Sequence, residues 1–243
     1  MFFINPAQIT NDRILIKGKD FHHLHNVLRL KKGDYLQLAD GEEILYRARI
    51  EHIGLREAQA LIVETLGKKK IGNLNIIVGQ ALPKGQKMDF IVEKGTELGV
   101  SAFVPLLTEH IIPKTGTASS VRKLQRWERI AQEASKQCRR LTIPKIYSPM
   151  DLSEFCRCFH KVPCKIILWE KASQGLRKSG FINNPPQETA ILVGPEGGFS
   201  PQEVDLAQDA GFAPILLGER TLRTETASLV ILSILQFVWG DLG

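Results

Sequence analysis

Over the first seventy residues the apolar positions come in short runs that alternate with polar ones. Residues 14–17 (ILIK), 34–39 (DYLQLA), 44–53 (ILYRARIEHI) and 58–66 (AQALIVETL) have a period of two or a β-rich composition, and KKGD, ADGEE and GLRE punctuate them. Successive side chains on a strand point to opposite faces, so this spacing predicts several short half-buried strands closing into a compact barrel. Between the first two strands DFHHLHNVLRL predicts a short helix with Asp20 as its N-cap. After 67–73 (GKKKIGN), a charged stretch without periodicity that reads as a hinge, the rhythm changes. Near-continuous apolar runs at 74–82, 101–107, 164–170, 189–194 and 213–218 are interleaved with helical patterns at 86–99, 120–140 and 201–211, and a helix closes the chain. Strands apolar on both faces, alternating with helices, predict a parallel sheet covered on both sides. The expected organisation is a small β module over residues 1–70 and an α/β domain over 73–243.

Charge adds a candidate partner. The net charge is +6 and the pI about 9.2, compatible with a polyanion but not diagnostic of one. Its distribution is more telling. From Lys114 to Arg140 there are eight Lys or Arg against two Glu, a local excess equal to that of the whole chain. On the long helix Leu124, Trp127, Ala131, Ala134 and Cys138 fall at core spacing, while Arg122, Lys123, Arg126, Arg129, Lys136, Arg139 and Arg140 take much of the rest. A charge run is ordinarily a solvated face, but one this lopsided points to a nucleic-acid backbone.

Other classes recede. The start of the chain lacks a basic stretch followed by an apolar one, and the apolar run 227–239 falls short of the roughly 20 residues a membrane span needs, so a cytoplasmic protein away from membranes is expected. A metal site would have to use Cys156, Cys158, His160 and Cys164, a spacing that matches no standard zinc motif. The triplet His22, His23 and His25 lacks a thiol neighbour and sits beside Arg29 and Lys31, which suits RNA contact better than metal.

Three strands end in unusual loops: IILWEKAS, ILVGPEGGFS and ILLGERTLRTETA. Ligands of parallel sheets collect at the carboxyl ends of strands. In GPEGG the three glycines let backbone approach a ligand closely, and Glu196 has no local partner. Ser200 and Pro201 read as the cap and first residue of the next helix. Neither a G-x-x-x-x-G-K-[ST] nor a G-x-G-x-x-G phosphate loop is present. The closing helix is apolar nearly all round, so it threads the core or forms a subunit interface. Thr224 or Thr226 is a candidate cap for it, with Glu225 at its positive end; Arg220 and Arg223 are left over.

VGPEGGFS followed by LLGERTLRTETA resembles the signature of the SPOUT-class RNA methyltransferases, and the chain is most similar to their RsmE family, which methylates N3 of a uridine in small-subunit ribosomal RNA. Residues 22–34 (HHLHNVLRLKKGD), 93–109 (EKGTELGVSAFVPLLTE) and 129–146 (RIAQEASKQCRRLTIPKI) agree, so five motifs run in the family's order along essentially the whole chain. The resemblance implies a C-terminal α/β trefoil-knot domain with a small N-terminal PUA-like β-barrel domain implicated in RNA binding. It also implies S-adenosyl-L-methionine held by the knot loops, a homodimer through the knot domain, no metal, and small-subunit ribosomal RNA or the assembled 30S particle as partner.

Under this resemblance Gly194, Gly197, Gly198, Leu217 and Gly218 supply backbone around the cofactor. Leu222, Arg223, Thr226 and Ala227 wall it from the last loop, Glu196 from the GPEGG loop, and Leu168 and Glu170 from the remaining one. The imide proton of uridine N3 must leave before or during attack, so a base or an anion-stabilising cation is needed. Candidates are Arg139, Arg223, Glu196 and Glu225: an arginine on the uracil oxygen, a glutamate as base or orienter. His22, Arg29, Arg122, Lys123, Arg126, Arg139 and Arg140 are the RNA-binding candidates. The rivals are a SPOUT enzyme acting on another base or a ribose 2′-OH, and a non-catalytic RNA-binding or ribosome-assembly module.

Overall fold

The computed structural model describes residues 1–41, 43–68, 74–110, 117–177, 180 and 185–242. Its contacts divide the chain into two units, Met1–Ile71 with Ser135–Ile143, and Gly72–Ala134 with Pro144–Gly243.

The first unit is built on β1 (Phe2–Phe3), β2 (Arg13–Lys17), α1 (Gly18–His22), β3 (Tyr35–Ala39), β4 (Ile44–Ile53) and β5 (Glu57–Lys68). They form one five-stranded sheet in the order β1-β3-β4-β5-β2. Only the β1–β3 pair is parallel. The period of two works as expected: Ile14, Ile16, Leu36, Leu38, Ile50 and the alanines Ala48, Ala58 and Ala60 all enter one core. Bulky residues face small ones across the ladders, Leu36 against Ala48, Ile14 against Ala60 and Ile16 against Ala58. That pairing lets a tightly curved sheet fill its interior without overpacking.

The helix expected after the first strand differs. It starts at Gly18, and Lys17 rather than Asp20 is its N-cap, without a side-chain bond. Asp20 instead meets Lys136 Nζ at 2.9 Å. Past His22 the helix widens to a π-type turn, with Leu28 N donating to the His23 carbonyl at 2.9 Å. The segment 135–143 belongs to this unit because Leu141 packs with Phe3 and Ala39 in a second small core, and Ile143 N bonds the Gly41 carbonyl. Of the expected hinge 67–73, residues 69–73 lie outside the described residues, as do Ile111 and Lys114.

The second unit comprises β6 (Asn75–Ala81), α2 (Lys87–Glu97), β7 (Val100–Leu107), α3 (Thr117–Gln137, its last residues in the first unit), β8 (Lys145–Ile146), β9 (Met150–Asp151), α4 (Leu152–Cys158), β10 (Cys164–Leu168), β11 (Glu188–Val193), α5 (Pro201–Asp209), β12 (Ala213–Ile215) and α6 (Thr224–Trp239). The strands run parallel in the order β12-β10-β11-β6-β7-β8, and β9 also pairs with β7. β6 and β11, at the centre, are buried on both faces from their second residue on, as continuous apolar runs require. The pattern of α3 is met: Trp127, Ala131 and Ala134 are buried, while Arg122, Lys123 and Arg129 are exposed. β8, β9 and α4 have no counterpart in the sequence reading, being too short to display a period.

Among the described residues no helix is long and apolar enough to cross a membrane, and no three His, Cys, Asp or Glu side chains gather to hold a metal ion. All four cysteines are free; burial pushes the Cys156 thiol up to about 11.

Candidate functional site

The carboxyl ends of three adjacent strands, β12, β10 and β11, open into a cavity of about 360 Å³, within the range of small-molecule sites. Each strand end contributes the loop that the sequence marked as unusual. After β10 the chain passes Leu168, Trp169 and Glu170 and then follows the end of β12: Trp169 N donates to the Ile215 carbonyl at 3.1 Å and Leu216 N to the Gln174 carbonyl at 2.9 Å. After β11 come Gly194, Pro195, Glu196 and Gly198, and after β12 the wall is Leu216 to Thr224 with Ala227.

Two glycines make the cradle. A Cβ on Gly194 would stand 3.2 Å from the Gly198 carbonyl carbon and 3.2 Å from the Phe199 ring. Gly198 has φ +70°, and a side chain there would be aimed at the Glu170 carboxylate, 3.5 Å away. The turn is closed by Gly198 N donating to the Pro195 carbonyl at 3.0 Å. The turn itself requires glycine at both positions, and the result is bare backbone on the cavity wall.

Glu196 is not the unpaired acid its sequence suggests. Its carboxylate accepts from Lys87 Nζ at 2.8 Å and from the Lys84 amide at 3.2 Å. Burial pushes its pKa up, but the Lys87 ammonium and the backbone amides outweigh this and hold the carboxyl below its ordinary range. Lys87 also stands 3.4 Å from Glu225 Oε2, and its bond to Glu196 chiefly, helped by Glu225, raises the lysine pKa. One ammonium thus links the start of α2, the GPEGG loop and the start of α6. Glu225 Oε2 is buried, with the Lys87 ammonium as its charged neighbour.

The start of α6 also departs from expectation. Neither Thr224 nor Thr226 caps it: Arg223 is the N-cap, with no side-chain bond. The Thr224 hydroxyl instead donates to the Gly194 carbonyl at 2.6 Å and accepts from Gln80 Nε2 at 3.0 Å.

Of the cofactor residues expected from the sequence, Leu168, Glu170, Gly194, Glu196, Gly198, Leu217, Gly218, Leu222, Arg223 and Ala227 line the cavity. Gly197 and Thr226 do not. Gly197 turns its α-carbon to the His110 side chain, where a Cβ would meet it at 3.2 Å. Thr226 is exposed, because the 100° step of a helix carries it off the face shared by Arg223, Thr224 and Ala227. Arg223, Glu196 and Glu225 are brought together around cavity and lysine; Arg139 is not a wall residue and belongs to the first unit. It occupies the left-handed turn that ends α3, with φ +59°. Trp169, Arg220 and Lys87 were not singled out for the cofactor. Lys87 in particular carries no local signal, since its partners lie 109 and more residues away.

The RNA-binding candidates differ in availability. His22, Arg29, Arg122, Lys123, Arg126 and Arg139 are exposed and Arg140 is half-buried. His22 Nδ1 is 2.7 Å from the Asn26 amide, Arg29 sits in a left-handed turn at φ +52°, and Arg140 reaches Thr142 Oγ1 at 3.3 Å. Arg126 is engaged by Asp89 at 2.6 Å, and the same carboxylate takes the Trp127 indole N–H at 3.1 Å. That pair joins α3 to α2; Arg122 also has a partner.

The model of the RNA methyltransferase domain family matches residues 70–236, and that of the RNA methyltransferase PUA domain matches 16–63. The ribosomal RNA small subunit methyltransferase E of Aquifex aeolicus is 35% identical over 234 residues, covering 96% of this chain and 97% of its own. A Legionella pneumophila methyltransferase solved with bound cofactor SAM superposes with a TM-score of 0.87 at 33% identity, over 99% of this chain and 98% of that one. The Neisseria gonorrhoeae ribosomal RNA small subunit methyltransferase E, solved bound to S-adenosyl methionine, gives 0.86 at 30% identity, over 100% and 98%. The first unit is therefore a PUA-like barrel and the second a SPOUT α/β trefoil-knot domain. By domain content, by identity over nearly its full length and by fold, the chain belongs to the family of the small-subunit ribosomal RNA methyltransferase E enzymes.

Proposed function

We propose that this chain transfers a methyl group from S-adenosylmethionine to N3 of a uridine in small-subunit ribosomal RNA. The observation that carries the reading is the glycine-cradled cavity at three strand ends, with Gly194 and Gly198 offering bare backbone and Glu170 and Arg223 offering charge. Its size and backbone walls fit a nucleoside cofactor. When bound, the cofactor supplies a methyl group on a positively charged sulfur.

The chain's own residues then act by position and charge. Leu217, Gly218, Leu222 and Ala227 hold and orient the ligand from the α6 side, and Leu168 and Glu170 from the β10 side. As N3 takes the methyl group its proton passes to solvent water, and Arg223 stabilises the negative charge that develops on the uracil oxygen. Glu196 is an orienter rather than the base: a carboxylate held by Lys87 and an amide is a weak proton acceptor. Glu225 shares the same ammonium and orients the start of α6. Lys123 and the exposed Arg139, with His22, Arg29 and Arg140, contact the RNA backbone.

Two copies pair through α6. In a single chain Val230, Ile234 and Val238 are half-buried and Phe237 is 68% exposed, an apolar stripe at helical spacing that a second copy covers. The substrate is ribosomal RNA or the small ribosomal particle, met in the cytoplasm.

The deciding experiment is mass spectrometry of small-subunit ribosomal RNA nucleosides from cells lacking the gene. Loss of N3-methyluridine, restored by the intact gene, is expected. Loss of a different methylated base or of a ribose-methylated nucleoside reassigns the target. An unchanged profile, with no S-adenosylmethionine uptake by calorimetry, makes the protein a binding module.

A further inference from the structure

We propose that Gln80, which does not itself line the cavity, is a positioning residue that fixes the Gly194 edge of the cofactor site through Thr224. The proposal rests on the S-adenosylmethionine reading above. Gln80 is fully buried on β6, flanked in sequence by the apolar run of a central strand. A primary amide there is costly unless every donor and acceptor is matched, and an aliphatic side chain would pack without that demand.

Each polar atom of Gln80 is engaged, and the chemistry fixes which is which. One amide atom is 2.9 Å from the Ala81 carbonyl oxygen, which can only accept, so that atom is the nitrogen. Its other proton goes to Thr224 Oγ1 at 3.0 Å. The amide oxygen faces the Ser228 hydroxyl at 2.6 Å, and that hydroxyl is also 3.0 Å from the Thr224 carbonyl. Because Thr224 Oγ1 accepts from Gln80, its single proton is directed to the Gly194 carbonyl, 2.6 Å away.

The bonds therefore run with one polarity, from Ser228 through Gln80 and Thr224 to Gly194. They join β6, the loop after β11 and the first turns of α6, elements separated by 144 and 30 residues. Gly194 is a wall residue with no room for a side chain against Gly198. A displaced Gly194 peptide displaces the cradle. The arrangement also accounts for α6 starting without a side-chain cap: the threonine that could serve is directed to the cavity wall.

The test is calorimetric titration of full-length variants with S-adenosylmethionine, alongside thermal melting. Thr224→Val keeps the shape and removes the proton; it is expected to weaken binding roughly tenfold, the scale of one lost buried hydrogen bond. Thr224→Ser keeps the proton and should stay within about twofold of the native chain, a rescue that a purely space-filling role does not give. Gln80→Met leaves the Thr224 proton but no longer directs it, so it should weaken binding by less than Thr224→Val, and added to Thr224→Val it should cost little more, because no directed proton is then left to lose. Equal losses for Thr224→Val and Thr224→Ser, or losses that multiply in the double variant, overturn the proposal. If Gln80→Met does not fold, the two threonine variants decide it. A native chain that takes up no S-adenosylmethionine overturns the cofactor reading and this proposal with it. Native binding with Thr224→Val unaffected overturns the positioning role alone.

Discussion

Helices α5 and α6 both follow loops of the same cavity, yet their first turns are built in opposite ways. α5 closes its own first turn, and only the second carboxylate oxygen of Glu203 reaches outward, accepting from the Glu109 amide at 2.9 Å. The Ser200 hydroxyl accepts from Glu203 N at 3.3 Å, the Glu203 carboxylate accepts from Ser200 N at 2.9 Å, and Pro201 sits where an amide proton has no partner to lose. α6 has the same kinds of residue, a threonine and a glutamate in its first turn, and turns both outward. Thr224 goes to Gly194 and Gln80, and Glu225 goes to Lys87. A helix start that satisfies itself is a structural joint. One that gives its side chains to neighbouring loops is part of a site, and the stability it forgoes is recovered through the apolar packing of Ile231, Leu232 and Leu235.

The sharpest way to break this contrast is at the loop that leads from β11 into α5. Gly198→Val places a β-branched residue at φ +70° and aims it at Glu170, so S-adenosylmethionine affinity should fall on the order of a hundredfold by calorimetry. Lys87→Met tests the α6 side. It frees Glu196 and Glu225 together, and cofactor affinity should drop several-fold, by about fivefold. The same pair sets a pH signature. A carboxyl held below its ordinary range contributes fully above the unfolded value of about 4.3 and is lost as pH falls through its lowered one. Affinity should therefore be level from about pH 9 to 5 and decline only in stronger acid, measured by titration across that range.

Ser200→Ala tests the α5 side. It should cost about 1 kcal/mol, a few degrees of melting temperature, and leave cofactor affinity within about twofold. If it instead weakened binding as much as Lys87→Met, the two starts would not differ in kind. The smallest effect is expected at a third helix end. Arg139 holds a left-handed conformation where α3 stops, so Arg139→Gly should raise stability by about 0.5–1 kcal/mol in denaturant melts while lowering RNA affinity. A gain in stability with RNA binding untouched would remove Arg139 from the interface.

The strands were legible because their inward residues obey a period that survives any tertiary arrangement. Ile14, Ile16, Leu36 and Leu38 are core residues in the expected alternation, as are Trp127, Ala131 and Ala134 at helical spacing. The cavity was legible through its glycines, since only a special backbone explains GPEGG between a strand and a capped helix. What failed was local in form but decided at a distance. Asp20 has the look of a cap and pairs with Lys136 instead; Thr224 has the same look and is taken by Gly194. In each case two nearly equal local options were separated by a partner far along the chain.

The sequence by itself determined the two kinds of sheet, the covered helices, the loops that line the cavity and, through its motifs, the family. These rest on periodicity and backbone geometry, which are properties of neighbouring residues. Only the tertiary structure decided that Lys87 joins Glu196 to Glu225 and that Gln80 reaches Thr224. Hydrogen bonds and ion pairs are satisfied in space, and a buried polar group takes whichever partner the fold brings within about 3 Å.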